Sequence, residues 1–511
     1  MLPSDDNRLP KWLGRETSGN GTSGTSPIRA RFFYVAVSVM GALAITTFVV
    51  PDASASTARK GVWLSSNPLG VNVAPWQTAN LNGAARQRME NALKQLGSAI
   101  AVRYGGGVFA DADNQLIGRN TNVISQAGHQ TSNFWGDDSH RDALTFSTYA
   151  AEARSVHANV MVTINYGTGT PALAGAWLAS IHSNHDPVTA VEIGNEPYGC
   201  SSPDKEITEG PVWDTSYEPN VPSRCPYSQY GGGSPGIKQF ARSFLAHAPA
   251  FIKAVHKADP GVKVVLPYAI SPPGDGGHVW NHTVMAGLGD YQGINVLWYP
   301  SHTWNNPSSQ TALTWLTQIP ARAAAIKDDL SQYAPSAFWM IGEENIANHP
   351  TWAVCTPMSA VFAAASALAW LAEGARNVNW WGESDGNNSY GHCRNRDFSM
   401  FDLTGYPLPP YKGFLLASKL AQPHAALSII DTGNSNVLAY HSTLSDGRQA
   451  VALININAGR SERVSGPAIG GDTLTQLQYT SEHTAIAQTQ VPSWKVKTIR
   501  LPKDSVTVFT N

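Results

Sequence analysis

Two glutamates follow glycines that close apolar runs, and their chemistry gives the first indication of function. Glu196 comes two residues after Gly194, and Glu343 comes directly after Gly342. An apolar run that ends in glycine is typical of a buried strand followed by a turn, so each carboxyl is expected at a strand end. Two carboxyls, one protonated and one ionised, are what the cleavage of a glycosidic bond requires.

The elements that would position these carboxyls alternate between strand-like and helix-like patterns. Predicted strands cover 71–73, 99–104, 160–166, 191–193, 262–268, 294–300, 338–342 and 378–381. Predicted helices between them cover 83–96, 140–156, 172–183, 236–257, 280–288, 310–332 and 357–373. Near-continuous apolar strands that alternate with helices predict an α/β fold, a (β/α)8 TIM barrel whose active face lies at the carboxyl ends of its strands.

An open doubly wound sheet is the alternative fold. The first predicted strand–helix turn has no glycine-rich phosphate-binding sequence. Gly105–Gly107 follow the second strand, but they lack the G-x-G-x-x-G spacing and the acidic residue that binds ribose. The barrel is therefore favoured.

Further side chains at predicted strand ends suit a sugar site around the two carboxyls. Arg103 is placed to pair with an ionised nucleophile, and Tyr299 to donate a hydrogen bond to the same carboxylate. Asn195 is placed to bind a sugar hydroxyl. Trp380 or Trp381 offers a surface for stacking. Taken singly, Arg103 also fits a structural ion pair, and the aromatic residues also fit the barrel core.

Composition excludes some partners and favours others. The chain of 511 residues has a formal net charge of −2 and only 14% charged residues, so nothing favours binding to nucleic acid or an anionic membrane. Its 16 Trp and 17 Tyr residues suit a neutral ligand such as a carbohydrate, although large secreted enzymes are often rich in Trp. No cluster of His, Asp, Glu or Cys has metal-ligand spacing, and no cofactor is expected.

The patterning changes after Pro409-Pro410, where helical periodicity ends. Short strand-like runs at 436–441, 450–456 and 494–499 are separated by turn sequences. This predicts a C-terminal all-β sandwich domain over 411–511, after a catalytic barrel over 56–410. A strand from 59–66 is a candidate to join the sandwich.

The N-terminus and the cysteines indicate export. Residues 1–55 read as a signal peptide with an extended polar n-region, an apolar run over 32–50 and a small-residue cleavage site that ends at Ala55. A membrane anchor retained through 32–50 is the alternative. The four cysteines predict two disulfides, with Cys200–Cys225 and Cys355–Cys393 favoured among three connectivities.

Several sequence pieces, in their order along the chain, resemble clan A of the glycoside hydrolases. They are Arg103–Gly107, Thr163–Pro171, Glu192–Glu196, Trp298–Pro300, Glu343–Asn345 and Asn377–Trp381. Within the clan, the chain resembles secreted actinobacterial enzymes grouped with α-L-arabinofuranosidases. The resemblance implies a retaining double displacement, with Glu196 as acid/base and Glu343 as nucleophile. It selects Glu343 over Glu344 because the family's nucleophile is followed by one variable residue and then Asn.

The resemblance also concerns the substrate-binding positions. Asn165 is one of the positions that the resemblance implies. Relatives usually carry His two residues before the tyrosine of the sixth strand, where this chain has Leu297. His302 is a candidate substitute for that missing side chain. The departure leaves the sugar open among α-L-arabinofuranoside, β-xyloside, β-glucuronide and β-glucan.

Two other classes of function are compatible with the same residues. One is a non-catalytic carbohydrate-binding protein on a degenerate barrel, which the intact carboxyl pair disfavours. The other is a transglycosylase, which product analysis would distinguish. Oligomeric state has no signal in the sequence.

Overall fold

The computed structural model describes residues 61–73, 83–97, 100–104, 146–164, 166, 170–198, 235–270, 277–301, 306–348, 350–384, 388–389, 391–393, 395–466 and 469–511. The predicted signal peptide, the side chain of Arg103, Asn165, Cys200, Cys225 and His302 lie outside this description. Within the described ranges no helix is long and apolar enough to cross a membrane. The apolar run 32–50 is not among them.

A closed barrel of parallel strands forms the first part of the described chain, which confirms the predicted fold class. Its strands run in chain order around the barrel. They are β2 (Leu69–Val73), β3 (Ala101–Tyr104), β4 (Asn159–Ile164), β5 (Val188–Ile193), β6 (Lys263–Tyr268), β7 (Gly293–Trp298), β8 (Phe338–Glu344) and β9 (Val378–Trp380). Pairing of β9 with β2 closes the ring and excludes the open sheet.

Helices follow the barrel strands and cover its outside. They are α1 (Gly83–Leu93), α2 (Phe146–Ser155), α3 (Pro171–Ser183), α4 (Pro235–Ala258), α5 (Gly277–Gly287), α6 (Ser309–Trp315), α7 (Ile319–Tyr333), α8 (Met358–Ala372) and α9 (Pro409–Ala417). The single helix predicted over 310–332 is wrong, because a 3-10 turn at Leu316–Gln318 divides it. Pro320 lacks an N–H and therefore lies in the first turn of α7, where donors have no helical acceptor.

The C-terminal part is antiparallel sheet. Its larger sheet has the order β1-β10-β11-β12-β17-β14-β15, and β13 pairs with β16 in a smaller one. The bounds are β1 (Val62–Trp63), β10 (Ala426–Ile429), β11 (Val437–Thr443), β12 (Gln449–Asn455), β13 (Glu462–Ser465), β14 (Thr473–Thr480), β15 (His483–Pro492), β16 (Thr498–Leu501) and β17 (Ser505–Thr510). Strand β1 lies upstream of the barrel in sequence but pairs with β10.

Both faces of the larger sheet are buried, as the alternation of side chains along β12 shows. Val451 and Leu453 pack in a cluster with Val464 and Leu501 of the smaller sheet, while Ile454 belongs to the main core. The strand predicted over 494–499 is wrong in its first half, where a 3-10 helix covers Ser493–Val496. Strand β15 ends at Pro492, which has no N–H to continue the ladder.

Candidate active site

Glu196 is presented by a turn that only glycine can open. Strand β5 ends at Ile193, and Gly194 takes a φ of +75°. A Cβ at this position would lie 2.9 Å from the Cβ of Tyr166, so both the backbone angle and the packing require glycine. Glu196 itself has a φ of +45°. This backbone conformation is unfavourable for a residue other than glycine, so surrounding contacts must stabilise it. The Tyr198 hydroxyl donates a 3.3 Å hydrogen bond to Glu196 Oε1.

A bulge in β8 determines the direction of the Glu343 side chain. The register of β8 shifts against β7 and also against β9 near Gly342. A Cβ on Gly342 would lie 1.8 Å from Asn295 Oδ1 inside the barrel, and the Tyr299 hydroxyl donates a 2.6 Å hydrogen bond to Glu343 Oε2. Residues 342 and 343 therefore both face inward, as the extra residue of a bulge permits.

Glu344 points the other way. Its carboxylate accepts a hydrogen bond from Ser366 Oγ of the covering helix α8, and the residue is fully buried. Burial raises its pKa to about 8, against a smaller lowering effect of the Ser366 hydrogen bond. A buried, neutral carboxyl behind the barrel wall does not reach the barrel mouth.

The phenol of Tyr198 locates the two candidate carboxyls in one region. Its pKa is raised well above the usual value, first by burial and then by the negative charges of Glu196, Glu343 and Glu192. Charges that act on one buried hydroxyl lie close to it. The structure thus brings Glu196 and Glu343 together around Tyr198. The sequence predicted that the two carboxyls share one end of the barrel, but it gave no indication of Tyr198.

Below this pair, a third carboxyl is buried inside the barrel. Glu192 of β5 accepts a 2.7 Å hydrogen bond from Thr163 Oγ1 and another of 2.7 Å from Asn295 Nδ2. All three side chains are at most 1% exposed. The signal in the sequence is the acidic residue between Val191 and Ile193, since a charge within a buried strand needs partners.

Comparison with known proteins gives a result at the level of structure only. Neither a scan of family models nor a search of curated proteins finds a match. The GH51 arabinofuranosidase from Xanthomonas axonopodis pv. citri matches with a TM-score of 0.61 at 15% identity, over 88% of this chain and 97% of that one. The α-L-arabinofuranosidase from Thermotoga maritima matches with 0.61 at 14% identity, over 89% and 98%.

A third solved structure widens the group. The 4-O-α-L-rhamnosyl-β-D-glucuronidase from Fusarium oxysporum 12S matches with a TM-score of 0.58 at 16% identity, over 88% of this chain and 97% of that one. This chain has the fold of the clan A glycoside hydrolases. The shared part covers the clan A barrel together with its C-terminal sheet domain, since nearly the whole of each solved chain is matched.

The two tryptophans after the last strand of the clan A barrel have different environments. Trp380 is fully buried and packs edge-on against Phe362 and Phe414, while its Nε1 donates a 2.8 Å hydrogen bond to Phe398 O. The prediction that Trp380 could form a stacking surface is wrong, because alternation along β9 turns it toward the helices. Trp381 keeps a small exposed area of 7% and remains the candidate.

Two loops at the carboxyl end of the clan A barrel are joined in three ways. Cys355 and Cys393 form a disulfide, one of the two predicted pairs. Asn345 Nδ2 donates to the carbonyls of Trp381 and Phe398. The backbones of Thr351 and Asp397 also pair, with N–H···O distances of 3.2 and 3.1 Å. The loops that follow β8 and β9 thus form one unit beside Glu343.

In the part of the chain that the structure describes, no three His, Cys, Asp or Glu side chains are grouped to hold an ion. The described groups at this site include two carboxyls, two phenols and an amide, which suit acid–base and nucleophilic reactions.

Proposed function

We propose that this protein is an exported retaining glycoside hydrolase, arabinofuranosidase-like, that cleaves O-glycosidic bonds in polysaccharides or oligosaccharides. The observation that carries the proposal is the pairing of each carboxyl with its own phenol, Glu343 with Tyr299 and Glu196 with Tyr198. Both pairs lie at the carboxyl end of the barrel, where barrel enzymes have their active sites.

The reaction needs two displacements at the anomeric carbon. In the first, a Glu343 oxygen forms a bond to that carbon while the glycosidic bond breaks, and Glu196 gives its proton to the leaving oxygen. In the second, Glu196 takes a proton from water, whose oxygen bonds to the anomeric carbon and releases Glu343. Tyr299, as a hydrogen-bond donor, stabilises Glu343 in the ionised form that attacks.

Other predicted residues complete the site in this proposal. Asn195, buried beside Glu196, is assigned to a sugar hydroxyl, and Trp381 to the face of the ring. Arg103, Asn165 and His302 remain predictions. Glu344 and Trp380 are left out, since both face the helices.

The first substrate to test is an α-L-arabinofuranoside, because two of the matched structures are described as arabinofuranosidases. A β-glucuronide follows, because the Fusarium oxysporum protein is described as a glucuronidase. Leu297 supports a subsite that differs from the family pattern, since it is the residue paired with Glu343 across β7 and β8. β-Xyloside and β-glucan complete the panel.

Export is part of the proposal. A disulfide between Cys355 and Cys393 is typical of proteins that fold in an oxidising compartment. We assign cleavage after Ala55, which leaves a barrel domain to 410 and a C-terminal domain over 411–511, whose first residues complete helix α9 before the sheet begins. Mass analysis of the exported chain tests whether the segment 32–50 is retained as an anchor and whether Cys200 and Cys225 form a disulfide.

The decisive experiment is a hydrolysis screen of the mature chain against aryl glycosides and plant polysaccharides, together with Glu343→Ala and Glu196→Ala. We expect cleavage of one glycoside class and loss of activity in both variants. Azide should rescue Glu343→Ala with a product of inverted anomeric configuration, and Glu196→Ala with one of retained configuration. Variants as active as the wild type would overturn the assignment, and binding without hydrolysis would indicate a carbohydrate-binding protein.

A further inference from the structure

The opposite end of the barrel contains a cavity of about 400 Å³. It is lined by residues at the start of the strands, among them Lys263 of β6 and Phe338 of β8, and by Arg376 just before β9. The amino ends of the strands lie away from Glu196 and Glu343, so this cavity is separate from the candidate active site.

Two cations each lie near the ring of Phe338 in this cavity. Lys263 Nζ lies 5.8 Å and Arg376 Cζ lies 4.6 Å from the centre of the Phe338 ring. The pKa of Lys263 is lowered by burial and then by the charge of Arg376, and burial lowers the pKa of Arg376 as well. The charge of Arg376 therefore disfavours the charged form of Lys263. The face of the Phe338 ring attracts cations and offsets part of this repulsion.

Acidic side chains do not neutralise this pair in the described part of the chain. No described carboxylate oxygen lies within ion-pair distance of Lys263 or Arg376, which are absent from every ion pair found there. Asp259, which also lines the cavity, contacts His182 Nδ1 at 3.4 Å and accepts a hydrogen bond of 2.9 Å from Gly261 N.

The backbone around the two cations is well held. A Cβ on Gly293 would lie 2.5 Å from the Phe338 ring, so glycine there makes room for the ring. Arg376 N donates a 2.8 Å hydrogen bond to Trp339 O, and Arg376 O accepts one of 2.6 Å from Ser65 Oγ. The backbone of Arg376 is therefore held on both sides, at its N–H and at its carbonyl.

We propose that this cavity binds a small oxyanion, a phosphate or carboxylate group, between Lys263 and Arg376. A guanidinium offers two parallel N–H donors to such a group, and an ammonium adds a point charge. The bound anion joins the start of β6, where Lys263 lies, to the segment just before β9 that carries Arg376. Its effect is on barrel stability, and it is independent of the proposed hydrolase activity.

The test is titration of the mature protein with inorganic phosphate, and separately with acetate, by calorimetry and thermal unfolding at ionic strength matched with chloride. We expect phosphate to raise Tm by about 2 °C or more. Lys263→Met should weaken phosphate binding by about tenfold or more, and Lys263→Arg should retain it. Stronger binding of acetate than of phosphate would assign the site to a carboxylate ligand, which the proposal includes.

Lys253→Met is the matched control, since Lys253 is an exposed lysine of the nearby helix α4. It should bind phosphate as the wild type does. Phosphate is excluded from protein surfaces and stabilises proteins in general, so equal rises in Tm for Lys263→Met and the wild type would overturn the proposal. Absence of any heat of binding in the wild type would also overturn it.

Discussion

The Tyr299 hydroxyl lies 2.6 Å from Glu343 Oε2, where it donates a hydrogen bond from the end of one barrel strand to the carboxylate of the next. A donor on an ionised carboxylate forms a charge-assisted bond, which is stronger than a bond between neutral groups. This contact distinguishes Glu343 from its neighbour Glu344 and underlies the first prediction.

Tyr299→Phe should lower kcat/KM by about 10- to 100-fold, because hydrogen bonds to charged groups contribute about 1.5–3 kcal/mol. Tyr291→Phe serves as the control, because that hydroxyl donates to Met285 O at 3.4 Å in another region. Unchanged kinetics in Tyr299→Phe would contradict the role.

Glu343→Gln and Glu344→Gln should behave in opposite ways although the residues are adjacent. Glu343→Gln should lose activity by about 1000-fold or more, as expected for a nucleophile. Glu344→Gln should retain activity, since its carboxyl is buried against Ser366 and is neutral below about pH 8. Kinetics on the same aryl glycoside decide the matter, and an inactive Glu344→Gln with an active Glu343→Gln would reverse the assignment.

Glu344 should also make the stability of the protein fall as pH rises. Its pKa is raised from 4.5 to about 8 by burial, so between these values the folded state holds more protons than the unfolded state. The free energy of unfolding then decreases with pH, at most by about 1.4 kcal/mol per pH unit. Glu344→Gln should lack this contribution, so its Tm relative to the wild type should rise with pH. A constant difference would refute the prediction.

Loss of the Cys355–Cys393 disulfide should weaken the unit formed by the two loops. The cysteines are 38 residues apart, for which chain entropy predicts a loss of about 4 kcal/mol. We expect Cys355→Ser with Cys393→Ser to lower Tm and kcat/KM together, since Trp381 and Glu343 flank these loops. An unaltered Tm in the double variant would contradict the prediction.

The buried network below the carboxyls should be energetically coupled. Asn295→Ala removes one hydrogen-bond donor from the carboxyl of Glu192. Because this leaves a buried acceptor without this partner, the free energy of unfolding should fall by about 1–3 kcal/mol. Glu192→Gln with Asn295→Ala should cost less than the sum of the two single changes. Urea unfolding of the four proteins measures this, and simple additivity would show that the 2.7 Å contact contributes little.

Much of the architecture was predictable because it depends on local pattern. Apolar runs, helical periodicity and closing glycines are properties of neighbouring residues, and they located the strands that bear Glu196, Tyr299 and Glu343 at one end of a barrel. The errors occurred where proline interrupted a pattern, at Pro320 and Pro492, and where one Trp of a pair had to be chosen.

The direction of each side chain was decided by tertiary structure. A bulge at Gly342 turns Glu343 inward and Glu344 outward, and residue 342 must be glycine because the side chain of Asn295 occupies the space where a Cβ would lie. The position of Tyr198 near three carboxyls likewise depends on strands distant in sequence. The sequence by itself determined which residues end the strands, whereas packing across the barrel determined which of them face each other, because facing is a relation between strands that no local pattern records.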